Sequence, residues 1–312
     1  MIGFTRLLKS SFFNALKNST TNDMDQPLCD YYICTSHNTH VEEDGLYNRI
    51  TIEDYALALE KGCRCLELVV WDGPNGKPVI RHGHSFSVDI EIHHVLRYGI
   101  YPNAFKYSPY PLILFIEQYL SPEQQNFLAD ILKNIFGEML YIEDIGTLTQ
   151  LPSPNQLRGK VIIMTDVTQT LTQNFHSVIN ICQSIWFDNL NQKDEFYHVS
   201  SLSEIKAKHQ VETAGCDLIR HTNQRLMRVY PAGIQVQSSN FDPVTYWNYG
   251  IQMVALNFQS GDAHLTTNLG RFSSTGGYIL KPKAGIFFHR LINCTKNFEK
   301  NLQIKNYQLY II

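Results

Sequence analysis

The chain has 312 residues, 44% of them hydrophobic, which is enough to bury the core of one large barrel domain or two smaller ones. A formal net charge of -3 without a basic stripe gives no reason to expect nucleic acid as a partner. Seven cysteines without metal-ligand spacing are expected to be reduced, packed thiols of a cytosolic protein. No apolar run reaches the roughly 18 residues of a membrane-spanning helix.

The first 25 residues are expected to form an amphipathic segment and a polar linker. Met1–Lys17 repeats apolar residues at helical spacing, and its charge comes from Arg6, Lys9 and Lys17. A basic amphipathic helix of this kind can lie on an anionic membrane. The alternative, which we favour, is a helix that packs on the rest of the protein or belongs to a domain outside this sequence.

From residue 26 onward, short apolar runs alternate with helical patterns. Thr51 and Gly62 are predicted to bound one helix, and Ser121 with Pro122 is predicted to start another that ends at Gly137. A further helix is predicted over Ile90–Tyr98. The alternation predicts a parallel sheet of an α/β protein. The predicted strands are Tyr31–Thr35, Cys65–Trp71, Val79–Ile80, Leu112–Ile116 and Val161–Met164.

Residues 167–195 interrupt this rhythm, and we interpret them as an insertion between two halves of the domain. A second block starts at Phe196, where the serine-rich stretch before Glu204 predicts a capped helix. Further strands are predicted at Val254–Phe258 and Tyr278–Leu280. The tail from Ile286 is expected to form a poorly defined extra element that ends in a strand-like run.

Polar residues stand in or just after four of these strands. His37 and Asn38 follow the first, Glu67 lies in the second, His82 follows the third, and Glu117 ends the fourth. Because α/β barrels carry their chemistry at the carboxyl ends of parallel strands, we expect these side chains to form one site.

These residues lie in motifs that identify a family. Ser36-His37-Asn38-Thr39, Gly62-Cys63-Arg64-Cys65-Leu66-Glu67-Leu68 and Leu157-Arg158-Gly159-Lys160 resemble the X half of eukaryotic phosphoinositide-specific phospholipase C. Ser201-Leu202-Ser203-Glu204, Arg228-Val229-Tyr230-Pro231 and Leu256-Asn257-Phe258-Gln259 resemble its Y half. The resemblance implies an X half over residues 26–166, a linker over 167–195, a Y half over 196–283, and a tail over 284–312 that is a possible truncated start of a C2 domain.

The resemblance also implies a fold, a reaction and a calcium ion. The fold is an irregular TIM-like (β/α) barrel built jointly by the two halves. The reaction cleaves inositol phospholipid to diacylglycerol and inositol phosphate, and the substrate's own 2-hydroxyl is the nucleophile. It implies a cytoplasmic protein that associates peripherally with a membrane surface and acts in lipid signalling.

Roles for individual residues follow from the same resemblance. His37 would stabilise charge on the phosphate, and His82 would protonate the leaving oxygen. Glu117 would act as a calcium ligand and as part of the base, and oxygen donors suit this ion. Asn38 and Glu67 complete the calcium set, while Ser201, Arg228 and Tyr230 would bind the headgroup.

The chain departs from the family pattern at three positions. Val69 stands where a second calcium-binding carboxylate is expected, so cation binding should be weaker. Met164 and Asp166 stand where two lysines are expected, so preference for bisphosphorylated lipid should be reduced.

The remaining residues also leave no room for pleckstrin-homology, EF-hand and complete C2 regions. Two alternatives to an active phospholipase C therefore stay open. One is a catalytically silent barrel that binds inositol lipid, inositol phosphate or a protein. The other is an unrelated barrel phosphodiesterase such as a glycerophosphodiesterase, against which the Y-half motifs argue.

Overall fold

The computed structural model describes residues 23–39, 42–44, 47–49, 51–81, 89–190, 195–232 and 239–282. In chain order the strands are β1 (Tyr31–His37), β2 (Glu42–Asp44), β3 (Tyr47–Arg49), β4 (Cys65–Trp71), β5 (Val79–Ile80), β6 (Ile90–Glu91), β7 (Leu112–Tyr119), β8 (Val161–Asp166), β9 (Ile179–Trp186), β10 (His198–Ser203), β11 (Leu226–Tyr230), β12 (Met253–Asn257) and β13 (Tyr278–Leu280). The helices are α1 (Ile52–Glu60), α2 (Ile92–His94), α3 (Pro122–Phe136), α4 (Gln173–His176), α5 (Glu204–Thr222), α6 (Pro243–Trp247) and α7 (Ala263–Phe272).

Parallel strands close into a TIM-like barrel in the order β1, β4, β7, β8, β9, β10, β11 and β12. The ring closes because β1 pairs with β12 on one side and with β4 on the other, where Thr35 lies opposite Cys65. The expected fold class is therefore confirmed. Short antiparallel strands extend it: β5 and β6 continue from β4, β13 pairs with β1, and β2 pairs with β3 in a separate hairpin.

The strands are apolar along most of their length because both of their faces are buried. On β4, Leu66, Leu68 and Val70 face the helical layer, while Cys65 joins the cluster inside the barrel. That inner cluster takes residues from all eight barrel strands: Tyr31, Ile33, Cys65, Ile113, Phe115, Ile162, Met164, Ile181, Cys182, Val199, Leu226 and Met253. Along each barrel strand, inward-facing polar side chains begin one or two inward-facing positions after this cluster. The inside of the barrel is therefore apolar in its lower part, the floor, and polar at the carboxyl ends of the strands, the mouth.

The predicted bounds of the helices α1 and α3 are confirmed. The Thr51 hydroxyl accepts a hydrogen bond from the backbone N–H of Asp54 at 3.3 Å, and Gly62 follows the helix at φ 91°. Gly137 ends α3 at φ 49°. Ser121 precedes α3 as predicted, but its hydroxyl donates to the Asp72 carboxylate at 3.1 Å instead of capping the helix.

The expectations for Val79–Ile80 and for the helix after it need correction. Val79–Ile80 is a strand, but it pairs antiparallel with β4 and lies outside the barrel ring. The helix predicted from Ile90 begins at Ile92, after the short strand β6, and continues as a π-helical segment over Val95–Ile100.

The segment 167–195, interpreted as an insertion, contains the barrel strand β9. The polar residues Asn180, Gln183 and Ser184 make β9 unlike the other, mostly apolar barrel strands, so the sequence did not predict a strand here. The pairing of β8 with β9 also shifts register between Ile163 and Thr165.

Several expectations concern residues outside the described ranges. These are the amphipathic segment Met1–Lys17, His82, and the tail from Ile286. In the part of the chain that is described, no helix combines the length and apolarity needed to cross a bilayer. The described cysteines are all free thiols; Cys216 is exposed, and the others (Cys29, Cys34, Cys63, Cys65 and Cys182) are buried.

Candidate active site

The mouth of the barrel is formed where the strands carry inward-facing polar residues above the apolar floor. On β4 and β7 the pairing register places Glu67 beside Phe115 and Val69 beside Glu117. Side chains alternate along a strand, so Glu67, Val69 and Glu117 all face the barrel interior. The structure therefore brings the two predicted carboxylates to one place, with Val69 between them on the same face.

Glu67 is held by a buried ion pair that crosses the barrel interior. Arg228 on β11 donates from Nη2 to Glu67 Oε1 at 2.6 Å, and each residue is 2% exposed. The guanidinium carbon lies 4.4 Å from the centroid of the Phe115 ring and 5.1 Å from that of Tyr230. These rings fix the plane of the guanidinium and exclude water from the pair.

The second oxygen of Glu67 is engaged by the loop that follows β1. Asn38 adopts φ 43°, which turns its backbone N–H toward Glu67 Oε2 at 2.7 Å. The backbone N–H of Glu67 in turn donates to the Thr39 hydroxyl at 3.1 Å. Asn38 is therefore beside Glu67 as predicted, and the contact seen is through its main chain.

His37 is oriented by a residue that the sequence analysis did not single out. Its Nδ1 donates to Asn257 Oδ1 at 2.8 Å, which leaves Nε2 3.8 Å from Glu67 Oε2. Asn240 holds the backbone of Asn257 by hydrogen bonds at 2.6 and 3.1 Å. The available signal was the place of Asn257 at the carboxyl end of β12, inside a Y-half motif. His37 also stacks on Tyr230, with ring centroids 6.4 Å apart and planes at 10°.

Glu117 has a hydrogen-bond partner that was also missed. Tyr119, two positions further along β7, donates its hydroxyl to Glu117 Oε1. The Tyr119 ring stacks on Trp71 with centroids 4.1 Å apart. Burial, and then the hydrogen bond to Glu117, raise the pKa of the Tyr119 phenol, so the phenol remains a proton donor. A tyrosine two residues after a carboxylate on one strand face was the available signal.

Two buried donors lie side by side at this mouth. Ser201 on β10 lies opposite Arg228 in the pairing register of β10 and β11. Neither Ser201 Oγ nor Arg228 Nε has a hydrogen-bond partner in the part of the chain that the structure describes. Buried donors without partners are costly, and adjacent ones are satisfied together by an anion with several oxygens. Ser201, Arg228 and Tyr230 thus lie together as predicted.

The two residues that replace the expected lysines do not contribute positive charge. Met164 is fully buried in the apolar floor and packs with the inner cluster. Asp166 accepts hydrogen bonds from the backbone N–H of Thr168 at 2.9 Å and from its hydroxyl at 2.6 Å. Arg228 is therefore the cation that the predicted substrate-binding residues supply.

The donors present fit a hard divalent cation in type, because they are carboxylate and amide oxygens. They fall short in number and charge. Val69 is 8% exposed and offers no donor, and one carboxylate, Glu67, is already paired with Arg228. Among the described residues, no group of three or more His, Cys, Asp or Glu side chains is arranged to hold a metal ion. The predicted ligands Asn38, Glu67 and Glu117 thus match calcium in donor type and fall short of it in number.

Comparisons with known proteins agree with this geometry. The family profile of the phosphatidylinositol-specific phospholipase C X domain matches residues 24–167, and that of the Y domain matches residues 175–284. The chain is 37% identical to 1-phosphatidylinositol 4,5-bisphosphate phosphodiesterase delta-1 of Rattus norvegicus, over 90% of this chain and 44% of that protein. It is 34% identical to the delta-4 protein of Xenopus laevis, over 93% of this chain and 44% of that protein.

Solved structures give the same result. The crystal structure of L. pealei PLC21 is 33% identical, has a TM-score of 0.83, and is matched over 91% of this chain and 41% of that chain. The chain thus spans less than half the length of the relatives described here. The two family profiles leave only a short segment between their matches, and that segment ends before β9 begins. The chain belongs to the phosphatidylinositol-specific phospholipase C family and comprises its X and Y regions.

Proposed function

We propose that this chain is the catalytic barrel of a phosphoinositide phospholipase C, which cleaves inositol phospholipid to diacylglycerol and inositol phosphate. The observation that carries the proposal is the pair of unsatisfied donors, Ser201 Oγ and Arg228 Nε, beside His37 and two carboxylates at one barrel mouth. A phosphorylated headgroup has oxygens that accept from both donors. The relatives are named as bisphosphate phosphodiesterases, which supports the same reaction class.

The reaction needs positioning, proton transfer and charge neutralisation, but no protein nucleophile. The 2-hydroxyl of the inositol ring attacks phosphorus, and its proton passes to Glu117, which Tyr119 orients. His37, held by Asn257 through Nδ1, acts in its imidazolium form and donates its Nε2–H to a phosphate oxygen as negative charge develops. The bond to the diacylglycerol oxygen breaks, and that oxygen takes a proton from His82. Water then opens the resulting cyclic phosphate.

We further propose that a calcium ion is held by Asn38, Glu67 and Glu117. When bound, it would neutralise phosphate charge and acidify the 2-hydroxyl. Because Val69 adds no oxygen and Arg228 engages Glu67, we expect calcium to be required at higher concentration than a site with a third carboxylate would need.

The same residues predict headgroup selectivity. Arg228 is the guanidinium available to a ring phosphate, while Met164 is neutral and Asp166 is anionic. A second ring phosphate therefore adds little binding energy, because Met164 offers it no charge and the Asp166 carboxylate repels it. We propose that the preference for bisphosphorylated over plain inositol lipid is reduced, because Arg228 is the one cation that the predicted headgroup contacts supply.

A membrane surface fits the end of the barrel where the mouth opens. Apolar side chains are exposed there after three strands: Tyr119 is 45% exposed at the end of β7, Ile205 58% at the start of α5, and Val244 38% at the start of α6. Loops after barrel strands lie at the carboxyl end, around the mouth. We propose peripheral contact with a bilayer through this rim, in the cytoplasm, where free thiols persist.

The test is release of water-soluble inositol phosphate from vesicles of phosphatidylinositol and of its bisphosphate, from micromolar to millimolar calcium. We expect turnover that rises toward millimolar calcium, at most a small preference for the bisphosphate, and loss of turnover in Glu117→Gln. Tyr98→Phe, on the exposed surface of the helical layer, is the matched control and should keep full activity. Vesicle binding without turnover at any calcium concentration would instead indicate a silent lipid-binding barrel.

A further inference from the structure

The buried ion pair between Glu67 and Arg228 links two binding functions that the proposed reaction needs at once. Glu67 belongs to the predicted cation ligands, and Arg228 belongs to the predicted anion contacts. Their direct contact at 2.6 Å, with each residue 2% exposed, means that neither charge is screened by water. A cation that binds Glu67, or an anion that binds Arg228, must therefore change the net charge that the other residue offers to its own ligand.

While Arg228 pairs with Glu67, a cation at the mouth meets little net negative charge. Glu67 is neutralised by Arg228 through Oε1, and its Oε2 accepts the backbone N–H of Asn38. Val69 adds no charge beside Glu117. Glu117 is therefore the one predicted carboxylate ligand without a cationic partner in the described part of the chain. A divalent ion gains affinity with the charge of its ligands, so it should bind weakly in this state.

Arg228 keeps one donor, Nε, that the contact with Glu67 does not use. Its Nε is buried and without a hydrogen-bond partner among the described residues, and so is the Ser201 hydroxyl across the ladder. Phe115 and Tyr230 clamp the guanidinium from within 5.1 Å of its central carbon. An anion bound at Nε would neutralise part of the positive charge of Arg228. The Glu67 carboxylate would then attract a cation more strongly.

We propose that Arg228 couples the two sites, so that binding of an anionic headgroup raises the affinity of the mouth for a divalent cation. The inference rests on the proposed function, because it takes both ligands from it. The coupling is reciprocal by thermodynamic necessity, so the cation raises the affinity for the anion by the same factor. For two ligands that share one buried ion pair, we expect a factor of about fivefold or more.

The experiment is calorimetric titration of calcium into the full chain, alone and with saturating inositol trisphosphate, and the reverse titration. We expect calcium affinity to rise at least about fivefold with inositol trisphosphate, and to be unchanged by uncharged myo-inositol. In Arg228→Gln the coupling should vanish, and calcium alone should bind more tightly than to the unsubstituted chain. Arg220→Gln removes an exposed arginine on α5 and should leave the coupling intact.

The outcomes separate this inference from the proposed function. If both ligands bind with affinities independent of each other, the coupling is wrong and the proposed function stands. If neither ligand binds, both are wrong. Should Arg228→Gln fail to fold, the titrations of the unsubstituted chain still decide the matter, because a calcium affinity that inositol trisphosphate leaves unchanged overturns the coupling.

Discussion

Arg228 Nη2 and Glu67 Oε1 lie 2.6 Å apart inside the barrel, although 161 residues separate them in sequence. The pair joins β4 in the X region to β11 in the Y region, so it ties the two regions together at the candidate active site. Both partners are almost completely buried. The same contact therefore bears on stability, on cation binding and on anion binding.

Glu67→Gln should destabilise the fold strongly, because it leaves the Arg228 guanidinium buried without its countercharge. We expect a loss of about 3–5 kcal/mol in the free energy of unfolding, measured by urea denaturation. The matched control is Glu91→Gln, which breaks the exposed pair with Lys77 and should change stability by at most about 1 kcal/mol. Equal effects of the two substitutions would show that the buried pair is not structural.

Val69→Asp should create a stronger cation site, since the pairing register places this residue beside Glu117. The added carboxylate is buried beside another, so we expect lower stability without calcium and a larger rise in melting temperature when calcium is added. Val69→Asn has a similar shape without the charge, and its response to calcium should be smaller. If neither substitution enlarges the rise in melting temperature with calcium, Val69 is not the cause of weak calcium binding.

Tyr119→Phe should reduce turnover while leaving the fold intact. The hydroxyl orients Glu117, and loss of one hydrogen bond to a charged group corresponds to about 1.4 kcal/mol, or roughly tenfold in rate. The ring remains to stack on Trp71. Melting temperature and steady-state rate are measured together, with Tyr98→Phe as control. An unchanged rate would mean that Glu117 does not need this partner.

Lys281 should make stability depend on pH in the alkaline range. Burial lowers the pKa of its amine to about 7, and its Nζ donates to the backbone oxygen of Thr222 at 2.9 Å. The unfolded chain therefore binds a proton that the folded chain releases, so the free energy of unfolding should rise from about pH 7 to about pH 9. The slope approaches about 1.4 kcal/mol per pH unit.

Lys281→Met tests the assignment, because it removes the titrating group and keeps most of the apolar stem. We expect urea denaturation of this variant to show a flatter pH dependence over the same range. A slope equal to that of the unsubstituted chain would assign the pH dependence to other groups.

The sequence was most informative where local chemistry decides structure. The bounds of β4 agree with prediction because its run is apolar apart from Glu67 and ends at a turn cluster. His37, Asn38, Glu67 and Glu117 lie at one end of the barrel, because parallel strands present their carboxyl ends to the same side. The catalytic roles assigned to these residues stay predictions.

Contacts between distant parts of the chain could not be predicted from one sequence. The Glu67–Arg228 pair and the His37–Asn257 hydrogen bond depend on which strands close the ring and in which register. Strand β9 was missed because its polar residues follow no alternating pattern and its pairing shifts register. Backbone geometry at Asn38, where φ is 43°, likewise follows from the loop that joins β1 to the site.

The most direct test of the proposed reaction is the identity of the first product. Phosphorus NMR of a digest of phosphatidylinositol vesicles at millimolar calcium should show cyclic inositol phosphate appearing before inositol monophosphate, and neither should appear with His37→Ala. The cyclic species is expected because the mouth offers a positioned histidine and a carboxylate for an internal nucleophile. Inositol monophosphate without a cyclic precursor, or equal product from His37→Ala, would contradict the mechanism placed at this barrel mouth.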